Sequence, residues 1–366
     1  TKPKRAQSIL VSNQTLKPHG IVTEFRKILL IQLRRLGDVL MTTPAIRQLH
    51  QALPDAEITF LTEAPSEQLL QYNPHLSEVW LLPKKMTWGE SFNFLKQLRQ
   101  MHFDCVIDFF GNPRSAFISR LSGAATRVGF DFRGRAWHYT HAVPLQHGVG
   151  YATSHKLQLL EALGLRVDTK DLLPEFPVSV EERVFAMGLL EQLGVQPDDR
   201  VISISPVSRQ PYKRWPLENF SQLADWLIEQ YRVKILFVYG PGEQEFVDEV
   251  RRQMRYEALP NYDPPNLAQT RALFEQVILH IGNDNGPRHF AVAADIPTVG
   301  IFGRPLAMNW TPPNQNRHLS FEFNPGCKTQ CDYPNCQLEC LNTPLMIVQE
   351  AIAKQLMVQD NPMLPL

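Results

Sequence analysis

The chain has 366 residues, 20% charged and 43% apolar, a balance that suits a soluble globular enzyme and excludes a disordered one. Lys plus Arg and Asp plus Glu each total 37, so the overall charge gives no argument for a nucleic-acid partner. No apolar run reaches the ~20 residues of a membrane span, and the N-terminus lacks the charged-then-apolar order of a secretory signal, which predicts a cytoplasmic protein.

Residues 1–25 are polar and without period, as in a loose arm. KILLIQL (Lys27–Leu33) is a nearly unbroken apolar run, the mark of a strand covered on both faces in a parallel sheet. It ends in Arg34-Arg35-Leu36-Gly37-Asp38, after which VLMTTPAIRQLHQAL has helical spacing. Further strands are expected at EITFLT (Glu57–Thr62), EVWLL (Glu78–Leu82) and DCVIDFF (Asp104–Phe110), with helical patterns such as SFNFLKQLRQM between them. Cys105, in one of these strands, reads as core. Between Gly111 and His141 five arginines (114, 120, 127, 133, 135) face Asp131 alone, an excess that could draw an anionic acceptor or line a solvated helix.

A Pro-punctuated passage, Leu172–Val178, is the expected link between two α/β units. The alternation then restarts. SVEERVFAMGLLEQLG reads as a helix, VISISP (Val201–Pro206) as a strand, PLENFSQLADWLIEQY as an amphipathic helix, KILFVYG (Lys234–Gly240) as a strand and GEQEFVDEVRRQM as a helix. An apolar run over Val277–Ile281 stops at Gly282; Asn283-Asp284-Asn285-Gly286-Pro287 forms a turn, and an Ala-rich helix carries His289. There Gly286 would take backbone angles closed to other residues, and Pro287 would be the first helical residue. TVGIFG (Thr298–Gly303) is the last expected strand. The predicted organisation is an arm over 1–25, Rossmann-like domains over 26–175 and 176–343 facing across a cleft, and a helix within 344–366 packing back on the first domain.

Ligands of open α/β sheets bind at the carboxyl ends of the strands, and the unusual residues sit there in both halves. Asp38 follows Gly37 at a strand tip and reads either as a helix cap or as a carboxylate able to take a proton from a hydroxyl. In the loop after VISISP, Ser208, Arg209 and Lys213 offer a hydroxyl and cations to a diphosphate, or merely form a solvated basic loop. Glu243, in GPGEQE, stands where a carboxylate could bond a ribose diol or cap a helix. The helix start at Gly286 suits a phosphate. The G-x-G-x-x-G fingerprint of hydride transfer and the G-K-[ST] phosphate loop are both missing, which leaves a nucleotide-sugar as the economical ligand.

RLGDVLMTTPAIRQL (Arg35–Leu49), SRQPYKRWP, GPGE and GNDNGPRHFAVAADIPTVGIFG together resemble the ADP-heptose:lipopolysaccharide heptosyltransferases, bacterial glycosyltransferases of GT-B architecture. The resemblance runs in order from about Lys27 to Gly303 and implies a metal-independent, inverting transfer of heptose from ADP-heptose to the lipopolysaccharide inner core. It implies Asp38 as general base, Lys213 on the diphosphate, Ser208 and Arg209 near the phosphates, and Glu243 on the ribose. Asp284 would hold the heptose hydroxyls, with Asn285, Gly286 and His289 around the phosphates. Arg209 replaces a family hydroxyl residue. NLAQTRALFEQ replaces the usual L-A-G-x-T, so Leu259–Pro265 could line the base pocket in its own way. No cofactor is required, and the anionic glycolipid acceptor implies peripheral contact with the inner membrane.

Cys327, Cys331, Cys336 and Cys340 crowd near the C-terminus. They could bind zinc or iron in a structural site, form disulfides or remain thiols. Competing functions are the same chemistry on a protein or other glycan, a sugar-nucleotide epimerase of the same fold, and a non-catalytic sensor. An epimerase needs acid/base groups on both sides of a sugar carbon, and only Asp38 is well placed.

Overall fold

The computed structural model describes residues 25–144, 150–304, 306–313, 316–327 and 331–360, so the expected N-terminal arm lies outside the described residues apart from Phe25. The first half contains β1 (Lys27–Ile31), α1 (Leu36–Leu40), α2 (Thr43–Ala52), β2 (Glu57–Thr62), β3 (Glu78–Leu81), α3 (Trp88–Gln100), β4 (Cys105–Asp108), α4 (Pro113–Leu121), β5 (Thr126–Asp131), β6 (His141–Pro144) and α5 (Ala152–Glu161). Its six strands are all parallel, in the order β3-β2-β1-β4-β5-β6. The continuous apolar run of β1 is explained by its two faces. Ile28 and Leu30 join a core under α1, α2 and α5, while Leu29 and Ile31 join another under α3 and α4. Cys105 is fully buried in β4, and burial raises its thiol pKa.

The second half contains α6 (Val180–Gln192), β7 (Val201–Ser205), α7 (Leu217–Tyr231), β8 (Lys234–Phe237), α8 (Gln244–Gln253), α9 (Leu267–Phe274), β9 (Leu279–Asn283), α10 (Gly286–Ala293), β10 (Thr298–Phe302), β11 (His318–Glu322) and α11 (Leu345–Asp360). The sheet is again parallel, ordered β11-β10-β9-β7-β8. The strand order reverses between β1 and β4 in one sheet and between β7 and β9 in the other. At such switch points the flanking loops diverge and open a crevice.

The link between the halves is not loose. Leu172, Phe176 and Val178 are buried, and Arg47 of α2 ion-pairs with both Asp171 and Glu175. One apolar cluster runs from Leu30 and Ile46 through Phe176 to Phe290 and Ala291 of α10, so the halves share a core at the base of the cleft. Phe176 meets Phe290 edge-on at 5.4 Å.

Two expectations are corrected. The last helix packs on the second sheet rather than the first: Val348, Ile352 and Leu356 enter the core formed by Ile202, Phe220 and Ile281. Buried Trp215 donates from Nε1 to the carbonyl of Thr343 just ahead of that helix. Strand β9 also runs through Gly282 to Asn283 instead of stopping before the glycine. A Cβ on Gly282 would stand 3.1 Å from the Ser205 carbonyl oxygen, so the missing side chain serves close strand approach rather than a turn.

Candidate active site

In the first half, the tip of β1 passes directly into α1. Arg35 occupies the cap position without a capping side-chain bond, and Asp38 lies in the first turn. Capping therefore does not account for Asp38. Its carboxylate is half-buried and makes no hydrogen bond or ion pair with another described residue. Nearby stands a residue that the sequence reading missed, Lys156 of α5. Its ammonium donates to Gln32 Oε1 at 2.8 Å and to the Phe109 carbonyl at 2.9 Å. Burial lowers the Lys156 pKa, while the charges of Asp38 and Asp108 push it back up.

Beside this, buried Glu63 at the end of β2 bridges Arg34 (2.9 Å) and Arg114 (2.8 Å), fixing two guanidinium groups at the lip of the first half. Of the arginine-rich stretch, Arg127 donates to the carbonyls of His138 and Ala124, and Arg135 to that of Gly111. Those two are structural; Arg120 and Arg133 are exposed.

In the second half, Asn283 ties the tips of two strands together. Its Oδ1 accepts from the Trp215 N–H at 3.0 Å and its Nδ2 donates to the Pro206 carbonyl at 2.8 Å. The loop after β7 is thereby held against β9. Lys213 ends a short 3-10 turn in that loop, and its ammonium ion-pairs with the carboxylate of Asp284, which is 5% exposed. Ser208 is buried, Arg209 is exposed, and the Arg214 side chain folds back onto the Ser208 carbonyl and over the Phe246 ring. Glu243 precedes α8 without capping it; its Oε2 instead accepts from the Gly240 N–H at 2.8 Å. In the segment expected at the base pocket, Tyr262 is tied to β8, donating from its hydroxyl to the Phe237 carbonyl.

The turn at α10 differs in detail from expectation. Gly286 is itself the first helical residue, with Pro287 second, and its φ lies outside the left-handed region. Beyond its chain neighbours and its own helix backbone nothing lies within 4 Å of where its Cβ would stand, so the glycine leaves open space at a helix N-terminus where an anion can approach the backbone. Asn285 is a scaffold: its Oδ1 accepts the Arg288 N–H at 3.1 Å, and its Nδ2 donates to Ser205 Oγ and the Val207 carbonyl, both at 2.9 Å. Both amide hydrogens of Asn285 are thus committed within the protein.

His289 is buried, and burial drives its pKa down to about 4, with Asp284 opposing and Arg288 and Lys213 adding to the fall. It is a neutral imidazole at pH 7, able to donate a hydrogen bond but not to supply charge. Arg288 went unnoticed in the sequence. Fully buried, it donates to the Trp310 carbonyl at 2.9 Å and Thr311 Oγ1 at 3.0 Å; burial lowers its pKa to about 10, so it stays cationic. A Cβ on Gly300 would fall 2.3 Å from its Nε, which is why a glycine stands in that strand.

The two halves meet at Gly37. A Cβ there would sit 3.1 Å from His289 Cδ2, so the helix carrying Asp38 abuts the helix that begins at Gly286. His289 also feels the charges of Asp284 and Lys213, so the turn that carries Gly37 comes next to His289 and the Lys213–Asp284 pair where the halves meet.

The four C-terminal cysteines are partly exposed and not joined in disulfides, and among the described residues no three metal-ligating side chains stand together. The suggested structural metal is not supported. No helix among the described residues is long and apolar enough to cross a membrane.

The model of glycosyltransferase family 9 (heptosyltransferase) matches residues 91–340. Lipopolysaccharide heptosyltransferase 3 of Escherichia coli K12 is 28% identical over 294 residues, covering 76% of this chain and 83% of that protein. The solved structure of E. coli ADP-heptose lps heptosyltransferase II aligns at TM-score 0.75 with 22% identity, over 91% of this chain and 99% of that one. E. coli heptosyltransferase WaaC with ADP-2-deoxy-2-fluoro heptose aligns at TM-score 0.64 with 19% identity, over 90% and 99%.

Proposed function

The chain belongs to glycosyltransferase family 9, the heptosyltransferases, and is a glycosyltransferase of GT-B architecture. On that premise we propose that it moves heptose from ADP-heptose to a sugar hydroxyl of the lipopolysaccharide inner core, with inversion and with Asp38 as general base. The observation that carries this reading is the apposition of Gly37 and His289. It supports a reading in which the Asp38 carboxylate of one half works opposite the Lys213, Asp284 and Gly286 group of the other. Relatives that are lipopolysaccharide heptosyltransferases, one of them solved with an ADP-heptose analogue, support the donor and the acceptor class.

In this mechanism the acceptor hydroxyl loses its proton to Asp38 as its oxygen forms the new bond to the anomeric carbon. The bond from that carbon to the ADP oxygen breaks on the opposite face. Negative charge grows on the departing diphosphate, where the Lys213 ammonium and the free N–H of Gly286 stabilise it. Without donor, Lys213 and Asp284 satisfy each other. A bound nucleotide-sugar offers phosphate oxygens to the lysine and hydroxyls to the carboxylate, so the pair separates into two ligands. Ser208 adds a hydroxyl to the diphosphate, Arg209 a cation at the rim, and Glu243 faces the ribose with the oxygen that Gly240 leaves free. Neutral His289 donates to the phosphate without competing with Lys213 for charge. Across the cleft, Arg34 and Arg114, held by Glu63, attract an anionic acceptor.

The test is Asp38→Ala assayed with ADP-heptose and truncated core oligosaccharides. Transfer should fall by ~10² to 10⁴, the usual worth of a general base, while donor binding by calorimetry persists. Full transfer by the variant would remove Asp38 from the mechanism, and a product of retained anomeric configuration would remove the inverting step.

A further inference from the structure

We propose that the outer face of α3 and α4 is a docking surface for an anionic lipid bilayer. Both helices cover the same side of the first sheet, burying Leu98 and Ile118 in one core, so their outward faces look the same way. Those faces are unusually aromatic. Trp88 and Phe92 of α3 are 94% and 69% exposed and Phe117 of α4 53%, and Trp137, in a 3-10 turn after β5, adds a ring that is 62% exposed. Trp88, Phe92 and Lys96 are spaced four residues apart on one side of α3, and Arg120 of α4 holds its guanidinium 5.1 Å above the Trp137 ring. Beside Phe92, a shallow hollow of about 520 Å³ lies between Leu95, Lys96, Arg99 and Leu121.

The charge around these rings is one-sided although the whole chain is neutral. From Lys84 to Trp137 the exposed charged residues are Lys84, Lys85, Lys96, Arg99, Arg120 and Arg133, against Glu90 and Asp131. Glu90 is engaged in capping its own helix with Thr87. Exposed indole and phenyl rings among lysines and arginines match the boundary of a negatively charged membrane, where rings enter the headgroup layer and cations meet lipid phosphates. A protein partner fits less well, since lysine is depleted in protein interfaces. The placement suits the chemistry. Helix α4 starts from the tip of β4, and its Arg114 reaches Glu63 at the lip of the cleft, so a membrane-seated surface lies next to the acceptor side of the site.

The surface can be tested without any activity assay. The full chain is floated with vesicles of phosphatidylglycerol and phosphatidylethanolamine in equal parts, and separately with phosphatidylcholine alone. Binding is expected to the anionic vesicles. Lys84→Ala with Lys85→Ala should weaken it roughly fivefold for each lysine removed. Trp88→Ala with Phe92→Ala should weaken it by about tenfold or more. Val184→Ser with Met187→Ser, on the exposed apolar face of α6, should leave it unchanged. Thermal melts showing unaltered Tm exclude misfolding, because all of these side chains are exposed. Absence of binding to anionic vesicles overturns the proposal, as does binding that only the α6 variant weakens. If the lysine variant loses binding but the aromatic variant keeps it in full, the face is a plain polyanion surface, suited to an acidic protein, and the bilayer proposal fails.

Discussion

Adding one methyl group at Gly37 probes the contact on which the site depends. In Gly37→Ala the new carbon falls 3.1 Å from His289 Cδ2 and 3.4 Å from Nε2, where ordinary contact begins near 3.4 Å. The imidazole must retreat by a few tenths of an ångström, yet it is buried, with the Trp310 ring 5.9 Å away. Ala in place of Gly within a helix favours folding by up to ~1 kcal/mol, whereas crowding a packed interior costs ~1–3 kcal/mol. The net expectation is a loss of up to ~2 kcal/mol, seen as a drop of a few degrees in Tm. Activity should suffer more than stability, because separating Asp38 from the donor-binding group lengthens the path of attack. Since a misplacement of 1 Å can cost ~10² in rate, a shift of a few tenths should lower kcat/KM by roughly tenfold. His289→Ala makes room for the methyl group, so a double-mutant cycle read by urea unfolding should show a coupling of ~0.5–3 kcal/mol. An alanine variant with raised Tm, unchanged kcat/KM and no coupling would refute the contact.

Three other outcomes follow from the geometry. Lys213→Ala should lower kcat by ~10² to 10³ through loss of charge on the departing diphosphate, and should also destabilise the fold by leaving Asp284 buried without its partner. Adding Asp284→Asn should recover stability in denaturant melts but not activity; recovery of both would mean the lysine is only structural. Glu63→Gln removes the carboxylate that ion-pairs with Arg34 and Arg114, leaving Arg114 on the Pro83 and Lys84 carbonyls and both guanidinium groups less firmly placed, so KM for an anionic acceptor should rise several-fold while KM for the donor stays, a split read by steady-state kinetics. Burial lowers the pKa of His280 and His318 to about 3 and of His289 to about 4. In the unfolded chain these imidazoles take up protons near pH 6.5, so stability should be full above that pH and fall as pH drops below it. Each contributes up to roughly 1.4 kcal/mol per pH unit. Urea unfolding at pH 7 and pH 5 should differ by several kcal/mol, and His280→Asn should lessen the slope by about one proton; equal stabilities would show the imidazoles protonated in the fold.

Much of the architecture was legible because strands buried on both faces are apolar throughout. β1, β2, β7 and β10 stand out as such runs, and β2 begins and ends where EITFLT does. β5, β6 and β11 escaped notice for the converse reason. Two lie at sheet edges and the third beside one, so their residues are part polar, as in TRVGFD and HLSFE, and one was read only as an arginine-rich stretch. The destination of α11 was equally hidden. An apolar helix face records that it is buried, not what buries it.

The same division holds in the cleft. Residue types and their order along the chain pointed to Asp38, Lys213, Glu243 and Gly286, because strand tips and helix starts have local signatures in glycine, proline and charge, while Asp284 came from the family resemblance. Pairings between residues far apart in the chain have none. Lys213 with Asp284, Glu63 between two arginines and Lys156 beside Asp38 arise only when each half folds, and Gly37 against His289 only when the two halves pack together. The chain alone therefore determined which groups stand at the ends of its strands, since that follows from local backbone preference and hydrophobic period. Packing decided which of those groups touch, since contacts across a cleft depend on the shared core that sets one half against the other.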